Sequence, residues 1–186
     1  MSTTTTARAR SLTRPSESYF KKIANTVSTR YSMMTARVRI MKEIRALEAD
    51  PSSLPDIEVQ LTDNLHVLYA DIYARGNPLY GDDKPYRVKV MLTEEYPFVA
   101  PVCLFITSEN SGIPIHPHIY SNGHICLDIL GPGWTPVQTI QSLLLSLQSF
   151  LVSNTRNERP PDNDTYIAHA PKNPKKTSFV YHDDEV

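Results

Sequence analysis

A cluster of histidines and one cysteine is the part of this sequence with the clearest capacity for chemistry. It spans residues 116–126 and contains an Asn122-Gly123 pair. Asn-Gly strongly favours a tight turn, so we expect the residues that follow it to form a short extended piece near the surface. The side chains that could react or bind a metal are His116, His118, His124 and Cys126.

The residue types alone leave three interpretations of this cluster open. Cys126 could be a buried structural residue surrounded by hydrogen-bonded histidines. The same side chains are also zinc ligands, although H-x-H followed by H-x-C is not a standard finger spacing. The third interpretation is a thiol nucleophile assisted by a histidine.

The only other cysteine, Cys103, lies 23 positions before Cys126, and the chain has no CxxC pair. This usage argues against a disulfide-stapled secreted protein and fits a reducing compartment, so we expect the cytoplasm, the nucleus or both. Cys103 falls in a β-rich run, where we expect it to be a small core residue.

Four β-rich runs are predicted before the cluster, at 57–61, 67–74, 86–92 and 102–107. Short turn-rich segments separate them, and no helical pattern intervenes. Such a series indicates an antiparallel meander, and with flanking helices it predicts an α+β fold.

Two helices are predicted on either side of these strands. Apolar residues Ile40, Ile44 and Leu47 recur at helical spacing, which predicts a first helix over 32–50 that ends before Pro51. A second helix is expected after Trp134 and up to about residue 153. Its predicted start has Thr135 as N-cap, Pro136 at the first position and Gln138 completing a capping box.

Length and charge restrict the classes of function. The chain has 186 residues, of which 40% are hydrophobic and 21% charged, as expected of about one globular domain. Its formal net charge is -1, so no whole-molecule field attracts it to nucleic acid or an anionic membrane. Its purely apolar runs are far shorter than the roughly 18 to 20 residues of a spanning helix.

The two ends differ from the middle of the chain. Residues 1–31 predict a flexible basic tail rich in Ser and Thr, although a mitochondrial transit peptide has a similar composition. Residues 155–186 are polar and interrupted by prolines, so we expect a mobile segment with at most short helices. The core is predicted to occupy residues 32–154.

Several motifs in order resemble the ubiquitin-conjugating enzyme family. They are Tyr-Pro-Phe-Val-Ala-Pro at 96–101, the His-Pro block at 116–118, Asn-Gly-His-Ile-Cys-Leu-Asp-Ile-Leu at 122–130 and Trp-Thr-Pro at 134–136. The resemblance runs from about residue 35 to 153. It implies that family's core fold, with ubiquitin, a ubiquitin-activating enzyme and RING or U-box ubiquitin ligases as partners. It implies no metal or cofactor, since ATP is used by the activating enzyme.

Other motifs resemble the W type of this family. His118 stands where the family usually has Asn, Arg-Pro-Pro-Asp-Asn follows the second helix at 159–163, and Tyr-His-Asp-Asp occurs at 181–184. The chain departs from that type where Phe179-Val180 replaces two tryptophans. The likeness implies transfer to the α-amino group of flexible protein N-termini; transfer to lysine is the alternative.

The resemblance also implies roles for individual residues. Cys126 would carry ubiquitin as a thioester, and His118 would donate a hydrogen bond to the oxyanion, act as a base, or only stabilise a turn. A non-catalytic binding module is the competing class, but such variants generally lack the cysteine. Site support is expected from His116, Asn122 and Trp134, and contact with a ligase or the activating enzyme from Arg39, Lys42, Phe98 and Pro136.

Overall fold

The computed structural model describes residues 17–176, and between residues 19 and 33 it describes the helical backbone but not every side chain. Helix α1 spans Glu17–Ala49. It therefore begins before the predicted start near residue 32, because no Pro or Gly interrupts the chain between Glu17 and Ala49. Ala36 is the first buried residue among the side chains that the structure describes in this helix, and the apolar periodicity predicted the part of the helix from there onward. Half of the predicted tail is thus helical, while residues 1–16 lie outside the described range.

Four antiparallel strands form one sheet in the order β1-β2-β3-β4. They span Ile57–Leu61, Val67–Tyr73, Pro85–Met91 and Val102–Ile106. The meander and the α+β class predicted from the sequence are confirmed. Alternate residues of the central strands, such as Ala70 opposite Val88, are fully buried on one face.

The second long helix, α2, spans Ile140–Val152 and packs in the same core cluster as the sheet and α1. Its N-cap is Thr139, so the predicted cap at Thr135 is wrong. Thr139 and Ser142 exchange side-chain and backbone hydrogen bonds, which makes a better cap. Pro136 lies instead in a turn closed by the Gln138 N–H and the Thr135 carbonyl at 3.1 Å.

Glu43 ties α1 to α2, a role that the sequence analysis did not identify. Its buried carboxylate accepts hydrogen bonds from the backbone N–H of Ile140 at 2.8 Å and the Tyr96 hydroxyl at 2.7 Å. It also pairs with Arg39. Glu43, a charged residue among the apolar positions of α1, thus accepts a hydrogen bond from the first residue of α2.

After α2 the chain forms a short helix, α3, over Asn163–His169, as expected for a segment limited to short helices. No helix within residues 17–176 is long and apolar enough to cross a membrane.

Candidate active site

Cys126 lies in the long loop between β4 and α2, where a small backbone ladder holds it. Ile119 pairs with Ile125, and the Cys126 N–H donates to the His118 carbonyl oxygen at 2.9 Å. The residue is 6% exposed. The loop therefore brings Cys126 and His118, eight positions apart, onto adjacent stretches of backbone.

The predicted Asn122-Gly123 turn creates this ladder. Gly123 has a φ of +86°, and a Cβ at this position would lie 1.9 Å from the Phe105 carbonyl oxygen, so only glycine fits. The Asn122 side-chain oxygen accepts from the His124 N–H at 3.1 Å. Asn122 therefore stabilises the turn before Cys126, and its side chain does not line the pocket beside Cys126.

His116 and His118 lie together near Cys126 but have different environments. His116 is buried and its ring stacks on Phe150, with centroids 3.8 Å apart. Burial, reinforced by the neighbouring His118, lowers the pKa of His116 to about 4. The neutral ring accepts the His118 backbone N–H on Nδ1 at 3.0 Å, and so orients the half-buried His118.

A pocket of about 370 Å³ opens beside Cys126. One wall is the loop that holds the cysteine, and the other is the end of α2 with the residues after it. The residues of that second wall are more than 20 positions from Cys126 in the sequence, and only the fold brings them near. The lining residues outside the predicted set include Asp128, Phe150, Asn154, Thr155 and Arg156.

The C-terminal segment is docked on the same loop. The Tyr166 ring stacks on Tyr120 with centroids 3.8 Å apart, and the Tyr120 hydroxyl donates to Asp162 at 3.1 Å. The Ser121 N–H donates to the Asn163 side chain at 2.9 Å. These contacts place residues 162–166 against the loop, in a segment for which the sequence predicted mobility. Residues 177–186 lie outside the described residues.

His124 belongs to this docking surface rather than to a metal site. Its Nδ1 is 2.7 Å from the Tyr166 hydroxyl, and burial lowers its pKa. Over residues 17–176, no group of three or more His, Cys, Asp or Glu side chains is arranged to hold a metal ion. The geometry thus gives no support to the zinc interpretation of the cluster.

Trp134 and Phe98 lie on a different cavity from the one beside Cys126. Trp134 is buried, and its Nε1–H donates to the Pro97 carbonyl at 2.7 Å. Phe98 is 70% exposed at the rim of this cavity, which has a volume of about 470 Å³. Trp134 therefore supports the loop that carries Phe98. Cys103 also lines this cavity, and its burial agrees with the predicted core role.

Arg39, Lys42 and Pro136 lie around the junction of α1 with the loop before α2. The Arg39 guanidinium donates to the Gln138 carbonyl at 3.1 Å, so it holds the turn that contains Pro136. Lys42 and Pro136 are exposed. Exposed Phe98 and Val137 supply apolar surface of the kind that a protein contact uses.

Comparison with known proteins identifies the family. The family described as ubiquitin-conjugating enzyme matches residues 39–181. The chain belongs to this family. It is therefore a ubiquitin-conjugating enzyme, whose partners are ubiquitin, a ubiquitin-activating enzyme and ubiquitin ligases.

Named relatives of this ubiquitin-conjugating enzyme include W-type proteins. It is 41% identical over 155 residues to the probable ubiquitin-conjugating enzyme E2 W-A of Danio rerio, covering 82% of this chain and 99% of that one. It is 36% identical over 149 residues to the E2 W of Caenorhabditis elegans, covering 80% and 95%.

A solved structure supports the same fold. The ubiquitin-conjugating enzyme UbcA1 of Agrocybe aegerita is 34% identical and superposes with a TM-score of 0.70 over 75% of this chain and 97% of that chain.

Proposed function

We propose that this enzyme carries ubiquitin as a thioester on Cys126 and transfers it to the α-amino group of flexible protein N-termini. The observation that supports Cys126 is its position: it follows the tight turn, pairs with the His118 backbone and lines an open pocket. Cys103 is a poor alternative, because its burial raises the pKa of its thiol to about 12.

The incoming amine attacks the thioester carbonyl and places negative charge on its oxygen. A hydrogen-bond donor near that oxygen stabilises the charge, and losing one such donor typically costs about 10²–10³ in rate. We assign this role to the half-buried His118, which lines the same pocket as Cys126. An imidazole can also accept the proton of the amine, so a role as base is the second possibility for the same residue.

The charges around the pocket support the choice of an α-amine. Among the residues that the structure describes, Asp128 is the one carboxylate that lines the pocket. Glu158, which lies near the acidic position implied by the family resemblance, pairs with Arg156 at 3.2 Å. At pH 7 about 10–20% of α-amines are neutral, against about 0.04% of lysines. A site with little carboxylate to deprotonate the incoming amine therefore favours the α-amine. Transfer to lysine assisted by Asp128 is the alternative.

The thioester is tested by mixing the enzyme with activating enzyme, ATP and ubiquitin. We expect one ubiquitin adduct that a reducing agent removes. Cys126→Ala should abolish it, whereas Cys103→Ala should keep it. An undiminished thiol-sensitive adduct on the Cys126 variant would refute the assignment. No cofactor beyond the ATP of the activating enzyme should be needed.

The choice of amine is tested by discharging the charged enzyme onto a peptide with a free, disordered N-terminus. The matched control is the same peptide, N-acetylated and containing lysines, and we expect much slower discharge onto it. If protonation of the amine alone limits the rate, raising the pH from 7 to 9 should speed lysine discharge about a hundredfold, while α-amine discharge levels off. Equal rates with both peptides, with ubiquitin found on lysines, would contradict α-amine transfer.

His118→Asn separates the two roles of His118. An Asn side chain donates a hydrogen bond but does not act as a base near neutral pH. Retained α-amine transfer would show that donation is sufficient. A large loss of rate would favour proton transfer, or a geometry that only the imidazole provides.

A further inference from the structure

Arg159 makes three hydrogen bonds to the backbone around the His116-Pro117-His118 turn. Its Nη1 donates to the carbonyl oxygens of Pro114 at 2.6 Å and Ile119 at 3.0 Å, and its Nη2 donates to Ile113 at 3.0 Å. The acceptors lie on both sides of the turn. One guanidinium from beyond α2 therefore joins the two ends of the segment that carries both histidines.

Backbone carbonyls, rather than a carboxylate, are the partners of this guanidinium. Within the part of the chain that the structure describes, Arg159 forms no ion pair. Burial lowers the pKa of Arg159, so its charge is partly removed from water and is compensated by these carbonyls. The planar fork of an arginine reaches three acceptors at once, whereas a lysine offers a single point charge.

The hydrogen bonds of Arg159 are connected to His118 through the backbone, because one of their acceptors is the residue that follows His118. The His118 N–H donates to His116, the His118 carbonyl accepts from Cys126, and the next carbonyl, that of Ile119, accepts from Arg159. Arg159 itself does not line the pocket beside Cys126. Arg159 therefore contacts the backbone next to His118 but not the pocket where an amine would attack.

We propose that Arg159 is a positioning residue that holds His118 in place for the transfer step. This inference rests on the proposed roles of Cys126 and His118. Arg159 does not contact the reacting atoms. It sets the distance and direction of the His118 imidazole relative to the thioester carbonyl.

The test compares Arg159→Met and Arg159→Lys with the native enzyme, at fixed pH and in single turnover. Misplacing a catalytic group slows a reaction strongly, so we expect Arg159→Met to slow discharge onto a free N-terminus roughly tenfold or more. Thioester formation should change less than twofold, because it does not use His118. The discharge rate of Arg159→Lys should lie between those of the native enzyme and Arg159→Met. Arg75→Met is the matched control, since Arg75 pairs with Asp56 away from the site.

A second background separates positioning from general support of the fold. If Arg159 acts through His118, Arg159→Met should slow discharge less than twofold in an enzyme that already carries His118→Ala. Equal slowing in both backgrounds, or equal slowing of charging and discharge, would overturn the proposal. If Arg159→Met does not fold, as its melting temperature would show, Arg159→Lys is compared in the same two backgrounds.

The outcomes for Arg159 and for the proposed function are distinct. Charging that persists in Cys126→Ala would refute the thioester assignment. Charging on Cys126, together with unchanged discharge by Arg159→Met, would overturn the positioning role alone.

Discussion

At the scale of single residues, His116 and His118 show how one short motif holds two different imidazoles. His116 is 5% exposed and packed on Phe150, whereas His118 is half-buried in the pocket wall. Removing an imidazole from water disfavours its charged form. His116 is therefore a neutral acceptor for the His118 backbone. Both rings line the pocket, and His118 is the more exposed of the two, which agrees with the role proposed for it.

The low pKa of His116 predicts a pH-dependent stability. The unfolded histidine has a pKa near 6.5 and the folded one about 4, so the folded state binds fewer protons between these values. The free energy of unfolding should therefore rise from pH 4 to 6.5, by at most about 3 kcal/mol, and stay level above. Urea denaturation measured at several pH values across this range gives the free energy of unfolding at each pH. This free energy should rise less steeply with pH for His116→Gln than for the native protein.

The matched control for this experiment is His169→Gln, since His169 is exposed on α3. The free energy of unfolding of His169→Gln should depend on pH as that of the native protein does. Identical slopes for His116→Gln and the native protein would mean that His116 is not held neutral by burial.

At the scale of elements, Glu43 couples α1 to the start of α2. Its carboxylate accepts from the Ile140 N–H, one of the amides that a helix N-terminus leaves without an internal partner. It also accepts from the Tyr96 hydroxyl, and burial together with this carboxylate raises the pKa of Tyr96 well above its usual range. The junction that presents Phe98 and Pro136 therefore depends on one buried charge.

Glu43→Ala should destabilise the fold by about 3 kcal/mol or more, because it leaves a buried amide and a buried hydroxyl without an acceptor. Glu43→Gln should cost less, since its amide oxygen still accepts. Glu48→Ala, at an exposed position of the same helix, is the control and should change stability by about 0.5 kcal/mol or less. Denaturant unfolding measures all three, and similar losses for Glu43→Ala and Glu48→Ala would contradict the cap.

At the scale of the whole molecule, the C-terminal segment closes one side of the candidate site. Arg159 contacts the loop before His118, at Ile113 and Pro114, and Tyr166 contacts it after His118, at Tyr120. A seven-residue helix such as α3 is not stable alone, so its order depends on these contacts.

Tyr166→Ala should release α3 from the loop. We expect backbone amides of residues 163–169 to exchange with solvent at least about tenfold faster, while those of α2 keep their protection. Ile167→Ala, whose side chain is 39% exposed, is the control and should leave exchange unchanged. Equally fast exchange in the native protein and in Tyr166→Ala would mean that α3 is not docked in solution.

The sequence by itself determined the features that depend on local chemistry. β-rich runs separated by turn residues predicted all four strands to within a residue or two. Asn122-Gly123 predicted the turn before Cys126, because turn geometry depends on neighbouring residues. The collinear motifs predicted the family. The helix cap was misplaced because Thr135-Pro136 and Thr139 both carry start signals, and only packing of α1 against Ile140 selects the second.

Only the tertiary structure decided which distant side chains meet. Arg159 lies 45 positions after Pro114, and Tyr166 lies 42 after His124, yet each forms a short hydrogen bond with that residue. The polar, proline-rich composition of the segment after α2 predicted mobility because it contains little apolar surface to bury. The structure places it against the loop through the Arg159 guanidinium, the stacked Tyr166 ring and the hydrogen bonds of Asp162 and Asn163. Such contacts depend on the positions of carbonyl groups and rings in the folded core. No local pattern of residues predicts those positions.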